Sequence, residues 1–307
     1  MKKVNIIMPA YNGEKYIGEQ IESLLNQTYP CIDIYIRDDK SSDHTAEVIA
    51  SYLGKEPEGK KIIVVDNEGV NWGYVRNVFD TWKLTAPADY YCFCDQDDVW
   101  HADKVEKSVA LLESKGDDVP ALCFTGYNFC DKDLNYMRPS DHIPKVMDLK
   151  TVCYDFYVLN FNICVNHAFR EQFFNHLPSN GQYPFYPDSW MAKMAAAQGR
   201  LFLVDEPLVK YRRNEQAISY ANHSALTLFL WRFKRFVLGD ETSRIRDDLE
   251  HFQESYSGLI SPKDNRMMDI FNRHGVHWLQ RIIYPARLRR NWKDELALRL
   301  MFLLRKV

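Results

Sequence analysis

The sequence predicts an α/β fold: a mainly parallel sheet flanked by helices, followed by a helical C-terminal region. Three observations carry that prediction. Strand-like and helix-like apolar spacings alternate over the first 115 or so residues, polar residues gather where the predicted strands end, and the spacing after Leu226 is mostly helical.

Val4 to Met8 is an apolar run closed by Pro9, the pattern of a buried strand. Ile17, Ile21 and Leu24 then fall at i, i+4 and i+7, a helix face stopped near Pro30. Ile32, Ile34 and Ile36 alternate as a second strand that ends in Arg37-Asp38-Asp39. Ser41, Ser42 and Asp43 are helix-starting residues. Ala46, Ile49 and Leu53 continue that helix, and Gly54 stands at its C-terminal stop. Lys61 to Asp66 reads as a third strand, and Val75, Val78, Phe79 and Trp82 as a third helix. Tyr90 to Cys94 is a fourth strand running into Asp95-Gln96-Asp97-Asp98, with Val105, Val109 and Leu112 marking the helix after it. Past residue 120 the pattern is less regular. Ala121 to Phe124, Leu201 to Val204 and Leu208 to Tyr211 read as strands and Ser189 to Ala197 as a helix; Gly275 and Pro285 punctuate the helical remainder.

The 307 residues are 46% hydrophobic and 26% charged, an ordinary globular balance. A net charge of −3 and a pI near 6.3 give no global reason to expect a nucleic-acid partner. Lys2 and Lys3 precede an apolar run too short for a signal-peptide core, and the longest later run, Leu226 to Trp231, is too short to cross a bilayer. The seven cysteines are odd in number and lack C-x-x-C spacing. They read as small buried thiols in a cytoplasmic protein, which makes the sequons at Asn26 and Asn222 coincidental.

Parallel sheets bind ligands at the carboxyl ends of their strands. Three polar sets sit at such ends here: Tyr11-Asn12, Asp38-Asp39 and Asp95 to Asp98. Asp95 and Asp97 are two apart at a strand end, so both side chains are expected on one side. Paired carboxylates suit a hard divalent cation such as Mg²⁺ or Mn²⁺, which prefers oxygen and shares substrate phosphates. A departing diphosphate needs that neutralisation. The bland alternative is a solvated acidic turn ahead of the helix from Asp103.

Four ordered motifs carry a resemblance. Ile7-Met8-Pro9-Ala10-Tyr11-Asn12, Ser23-Leu24-Leu25-Asn26-Gln27-Thr28, Arg37-Asp38-Asp39-Lys40-Ser41-Ser42-Asp43 and the Asp95 cluster resemble family-two glycosyltransferases of the GT-A fold. Asp-Gln-Asp-Asp-Val-Trp at residues 95–100 resembles the bacterial rhamnosyltransferase-like branch that builds cell-wall and capsular polysaccharides. The resemblance covers about residues 4 to 215. It implies a GT-A catalytic domain over 1–215, with a nucleotide-sugar half to about 115 and an acceptor half over 116–215. Residues 216–307 form a helical, basic C-terminal region.

By the same resemblance, Pro9, Ala10 and Tyr11 line the nucleotide pocket and Asp39 hydrogen-bonds the base, with Asp38 as the alternative contact. Gly73, Arg76 and Asn77 match an intervening segment in which Arg76 either pairs with phosphate or is a surface helix arginine. Asp95 faces ribose or sugar, Asp97 holds the metal, and Arg212, in Tyr211-Arg212-Arg213, contacts diphosphate or acceptor. Inversion requires a carboxylate that deprotonates the acceptor hydroxyl. Asp188 stands at the expected place, although Pro187 before it departs from the family pattern and a helix N-cap is the plainer role. The implied partners are a nucleotide-diphosphate sugar and a saccharide or lipid-linked saccharide acceptor.

The implied reaction is inverting transfer, of L-rhamnose from dTDP-rhamnose. Transfer of glucose or galactose from a UDP-sugar, or non-catalytic binding of a sugar nucleotide, are the alternatives. No G-x-G-x-x-G or basic phosphate loop follows the first strand, where Tyr11-Asn12-Gly13-Glu14 stands. A dinucleotide oxidoreductase and a sugar-nucleotide-forming nucleotidyltransferase are thereby disfavoured. The nine histidines show no metal spacing, His274 and His277 included.

In the tail, Trp292, Leu296, Leu300 and Leu303 form an apolar helical stripe, with Arg287, Arg289 and Arg290 upstream and Arg299, Arg305 and Lys306 elsewhere. Two readings stay open: a peripheral contact with the inner face of the membrane, or a helix docked on the catalytic domain or on a second copy in a homo-oligomer.

Overall fold

A computed structural model describes residues 2–140, 143–144, 147–155, 157–177, 187–213, 241–272, 278–289 and 292–304. The readings of Tyr186, Asn222, Leu226 to Trp231, His274, Gly275, His277, Arg290, Arg305 and Lys306 fall outside these residues.

The first half follows the predicted alternation. Strand β1 (Val4–Ala10) is buried along its whole length, which explains its unbroken apolar run. Val4, Ile6, Met8 and Ala10 share one core with Ile17, Ile21 and Leu24 of α1 (Ile17–Leu25). Strand β2 (Ile32–Asp38) lies parallel to β1, pairing Ala10 with Asp38. Helix α2 (Thr45–Ala50) is shorter than its pattern; the chain turns through Leu53 and stops at Gly54, whose φ of 75° is the left-handed geometry a side chain resists. Strand β3 (Lys60–Val64) adds to β2, and helix α3 (Tyr74–Leu84) packs on β1 and β2 with Val78, Phe79 and Trp82 buried. Strand β4 (Tyr90–Phe93) completes the parallel set on the other side of β1.

Beyond β4 the sheet becomes mixed. After the two-residue strand β5 (Val99–Trp100) and helix α4 (Lys104–Glu113) come β6 (Leu122–Cys130), β7 (Tyr136–Pro139), α5 (Leu149–Tyr154), β8 (Ile163–Asn166), α6 (His167–Asn175), α7 (Pro187–Ala197) and β9 (Leu201–Arg212). Among the described residues the sheet order is β3-β2-β1-β4-β8-β6-β9-β5, with β7 on β6. Strand β8, for which the sequence predicts no element, runs antiparallel to both β4 and β6. The two strands predicted over 201–211 are one strand that shifts register near Pro207, where a proline cannot donate to the ladder.

The chain divides into two compact units. One comprises Met1–Val146, Val158–Asn175 and Arg200–Glu215, the other Met147–Tyr157, His176–Gly199 and Gln216–Val307. The second is helical among its described residues: α5 packs on α7, and α7 is pinned to helix Glu241–Tyr256. There Asp248 accepts from the Trp190 indole at 2.7 Å and from the Lys193 ammonium at 2.6 Å, all three side chains being buried. The cysteines are free thiols, and all but Cys31 are buried. No helix among the described residues is long and apolar enough to cross a membrane.

Candidate active site

Because β1, β2 and β4 are parallel, their carboxyl ends share one edge of the sheet, and the three polar sets meet there. The loops after β1 and β2 are laced together. Ser41 Oγ accepts from Asn12 N at 2.8 Å, Asn12 Oδ1 accepts from Ser42 N at 2.8 Å, and Thr45 Oγ1 accepts from Gly13 N at 2.8 Å. Pro9 and Ala10 are buried at this edge, while Tyr11 is half exposed.

The two aspartates after β2 face different partners. Asp38 is partly buried and its carboxylate accepts from the Ser41 amide and hydroxyl. Asp39 is buried; one carboxylate oxygen accepts from Trp72 N at 2.7 Å and the other from Gly73 N at 2.8 Å. Asp39 thus holds the start of α3 in place, and a base N–H would use its remaining lone pairs. One turn into α3, Arg76 lies over the Trp72 ring, with 3.1 Å between guanidinium carbon and centroid, and its Nε donates to Asp80 at 3.0 Å. The Arg76 side chain is 45% exposed.

Asp95 to Asp98 occupy a turn between β4 and β5 rather than the strand itself. Strand alternation therefore does not set their directions; long-range hydrogen bonds hold the turn. Gln96 pairs with both backbone groups of Tyr11, donating to its oxygen and accepting from its nitrogen, each at 2.8 Å. Asp95 Oδ1 accepts from the Tyr74 hydroxyl at 3.0 Å and from Asn160 Nδ2 at 3.2 Å. Arg212 grips the other side. Its amide donates to Asp98 Oδ1 at 3.0 Å, its Nε donates to the Asp97 carbonyl at 2.8 Å, and its remaining nitrogens reach Glu19 and the Lys132 carbonyl. Arg212 is 2% exposed, so the structure places it behind the turn, as its support.

Asp98 is fully buried. Burial, and after it the charges of Asp97 and Asp95, push its carboxyl well above the ordinary carboxylate range. A divalent cation fits this turn on two observations. The donor set is all oxygen, and buried Asp98 Oδ2 has no hydrogen-bond partner beside two further carboxylates. Among the described residues no group of three or more His, Cys, Asp or Glu is arranged to hold an ion.

Asp188 is the second residue of α7, after Pro187, and accepts from Ser189 N at 2.8 Å. It is therefore inside the first turn and is not the N-cap. Burial raises its carboxyl to about 6, against the lowering effect of the Ser189 amide and the Lys193 charge.

Sequence reading leaves Tyr74, Asn160 and Glu19 without a role. Tyr74 and Glu19 look like ordinary first-turn helix residues, and Asn160 sits in a segment with no periodic signal. Gln96 has one legible companion. A Cβ on Gly13 would lie 2.4 Å from Gln96 Oε1, so only glycine lets that amide approach Tyr11. Gly13→Ala is expected to displace Gln96, at a stability cost of about 1–2 kcal/mol for two exchanged hydrogen bonds. Nucleotide affinity should fall by about tenfold as the turn loosens; calorimetric titration beside a melting curve measures both.

A parallel half-sheet with a carboxylate turn at its edge, continued by a mixed set of strands, is the architecture of the GT-A fold. Residues 5–177 match Glycosyl transferase family 2, and the chain belongs to that family. The putative teichuronic acid biosynthesis glycosyltransferase TuaG of Bacillus subtilis is 29% identical over 142 residues, 46% of this chain and 53% of that protein. The chain spans about half the length of the first curated relatives it matches. Among solved structures, S. aureus TarS 1–349 in complex with UDP-GlcNAc superposes with a TM-score of 0.59 at 16% identity, covering 99% of this chain and 80% of that one. Mannosyltransferase PcManGT from Pyrobaculum calidifontis, in complex with GDP-Man and Mn²⁺, gives 0.55 at 16% identity, covering 99% and 74%. At such identities the likeness establishes the fold.

Proposed function

We propose that this protein is an inverting glycosyltransferase that moves a sugar from a nucleotide diphosphate onto a saccharide acceptor in bacterial cell-wall or capsular polysaccharide synthesis. The acidic turn carries the reading: Asp95 to Asp98 stand at the carboxyl edge of the parallel strands, fastened by Gln96 and Arg212. The teichuronic acid role in TuaG's name and the sugar nucleotides bound by TarS and PcManGT support it.

In this reading Pro9, Ala10 and Tyr11 line the nucleotide pocket, Asp39 (or Asp38) meets the base, and Arg76 pairs with phosphate. Asp95 faces ribose or sugar, and Asp97 with Asp95 would hold Mg²⁺ or Mn²⁺. When bound, that ion supplies charge neutralisation for the leaving diphosphate. Arg212 contacts diphosphate or acceptor, and its bonds to Asp97 and Asp98 hold the turn in position. Asp188, ionised above about pH 6, takes the proton of the acceptor hydroxyl as it attacks the anomeric carbon.

We assign L-rhamnose from dTDP-rhamnose as the donor, on the resemblance of residues 95–100. A lipid-linked acceptor would place the protein at the inner face of the cytoplasmic membrane. The test is a panel of nucleotide sugars with Mg²⁺ or Mn²⁺ and a saccharide acceptor, scoring released nucleotide diphosphate. Metal-dependent release is expected to be greatest with dTDP-rhamnose. Preference for UDP-glucose or UDP-galactose would replace the sugar and keep the class; no release from any donor would remove the transferase reading.

A further inference from the structure

We propose that the exposed face of helix Trp292–Leu303, continued by Leu279 and Ile283, is a docking surface for an anionic lipid bilayer. The inference deepens the function proposed above and rests on it for the acceptor being served, while the surface itself is argued from the helices alone.

Trp292, Leu296, Leu300 and Leu303 recur at i, i+4, i+8 and i+11, and all four are more than half exposed. A helix of a water-soluble surface would carry its polar residues there. Here Glu295 and Arg299 turn inward instead. Arg299 donates to the carbonyls of Arg281, Ile282 and Ala286, at 2.7, 3.0 and 2.8 Å, and so caps the end of the neighbouring helix Trp278–Ile282. Glu295 accepts from the amides of Leu288 and Arg289, each at 2.8 Å, and from Arg299 Nε at 2.8 Å. Leu298 and Phe302 are buried beside them. The two helices are therefore fastened together through Glu295 and Arg299, and Leu279 and Ile283 of the neighbouring segment are also more than half exposed. Contiguous apolar surface of this kind marks an interaction site.

Charge selects the occupant. From Arg281 to Val307 the chain carries eight Lys or Arg against two Asp or Glu, although the whole chain is net −3. A second copy seated across a two-fold axis would bring this basic stretch against itself, which like-charge repulsion opposes. Within that stretch Arg281 and Arg299 are turned inward and Arg289 meets Asp155, while Arg287 is exposed. A bilayer with anionic headgroups complements the net basic stretch, with apolar side chains entering the interface, a tryptophan at headgroup level and Arg287 against phosphate. The helix is too short to span, so it would lie in the plane of the interface.

The experiment is sedimentation of the intact protein with phosphatidylcholine vesicles and with the same vesicles doped with phosphatidylglycerol. Binding is expected to the doped vesicles, weakening as salt is raised. The double variant Leu296→Glu/Leu300→Glu should bind at least about tenfold more weakly, with unchanged circular dichroism and unchanged donor turnover on a soluble acceptor. Brominated lipid should quench part of the tryptophan emission, and Trp292→Phe should remove that part. Equal sedimentation of variant and wild type overturns the proposal. So does a concentration-dependent dimer that the double variant abolishes, since the face then belongs to a second copy. Vesicle binding needs neither donor nor acceptor, so failure of the transferase assay leaves this result standing, and the converse holds.

Discussion

Asp97→Ala is expected to lower metal-dependent donor turnover by at least about a thousandfold while leaving the fold intact. The asymmetry follows from how the turn is held. Its anchors are the Gln96 amide, the Asp97 carbonyl and the Asp98 carboxylate, received by Tyr11 and Arg212. These contacts remain in the variant, so the turn is expected to persist while the carboxylate charge is lost. The loss should also ease the upward push on the Asp98 carboxyl, to which Asp97 contributes after burial. Nucleotide-diphosphate release measured across a Mn²⁺ titration, beside a melting curve within a degree or two of wild type, checks both halves. A variant with undiminished metal-dependent release would remove Asp97 from the site.

Asp188→Asn is expected to keep donor binding and lose transfer, by about a hundred- to ten-thousandfold. Asparagine preserves the shape and can still accept from Ser189 N, so the start of α7 should persist. What it lacks is a basic oxygen. The wild-type pH profile supplies an independent reading of the same group. Burial raises the Asp188 carboxyl to about 6, so the protonated, inactive form dominates below that value. Turnover should rise through pH 6 and level above it, falling about tenfold per pH unit on the acid side. Wild-type transfer by the asparagine variant would sink the proposed mechanism, whatever the donor proves to be.

Legibility in the sequence tracked locality. The parallel half was readable because β1 and β4 are buried along their whole length and α1 shows a clean apolar stripe of Ile17, Ile21 and Leu24. Strand β8 was not, because Ile163–Asn166 is four residues long and owes its place to partners about forty and seventy residues earlier. The same contrast divides the site. Asp39 and the Asp95 cluster announce themselves as polar residues at strand ends. Their fastenings do not: Asn160 and Arg212 reach the cluster across long stretches of chain, Glu19 holds Arg212 in turn, and no spacing rule links them. Arg212 shows the cost. Its position after a strand looks like that of a contact residue, while its burial and its bonds to the turn rest on contacts that no spacing shows. Helix α7 gives a second case, since sequence order sets it before β9 while its side chains pack with helix Glu241–Tyr256.

Strand β9 enters the sheet between β6 and β5, and it brings Arg212 to a turn made 114 residues earlier. A ribosome exposes Pro9, Asp39 and Asp95 to Asp98 long before it exposes that arginine. Contacts of such sequence separation form late, because the intervening chain must first be ordered. Until β9 docks, Asp98 lacks the amide that meets its carboxylate and the Asp97 carbonyl lacks its guanidinium. A nascent or truncated chain ending before Arg212 should thus carry every nucleotide motif and still bind sugar nucleotide poorly. If the proposed donor site is right, donor affinity would then report chain completion.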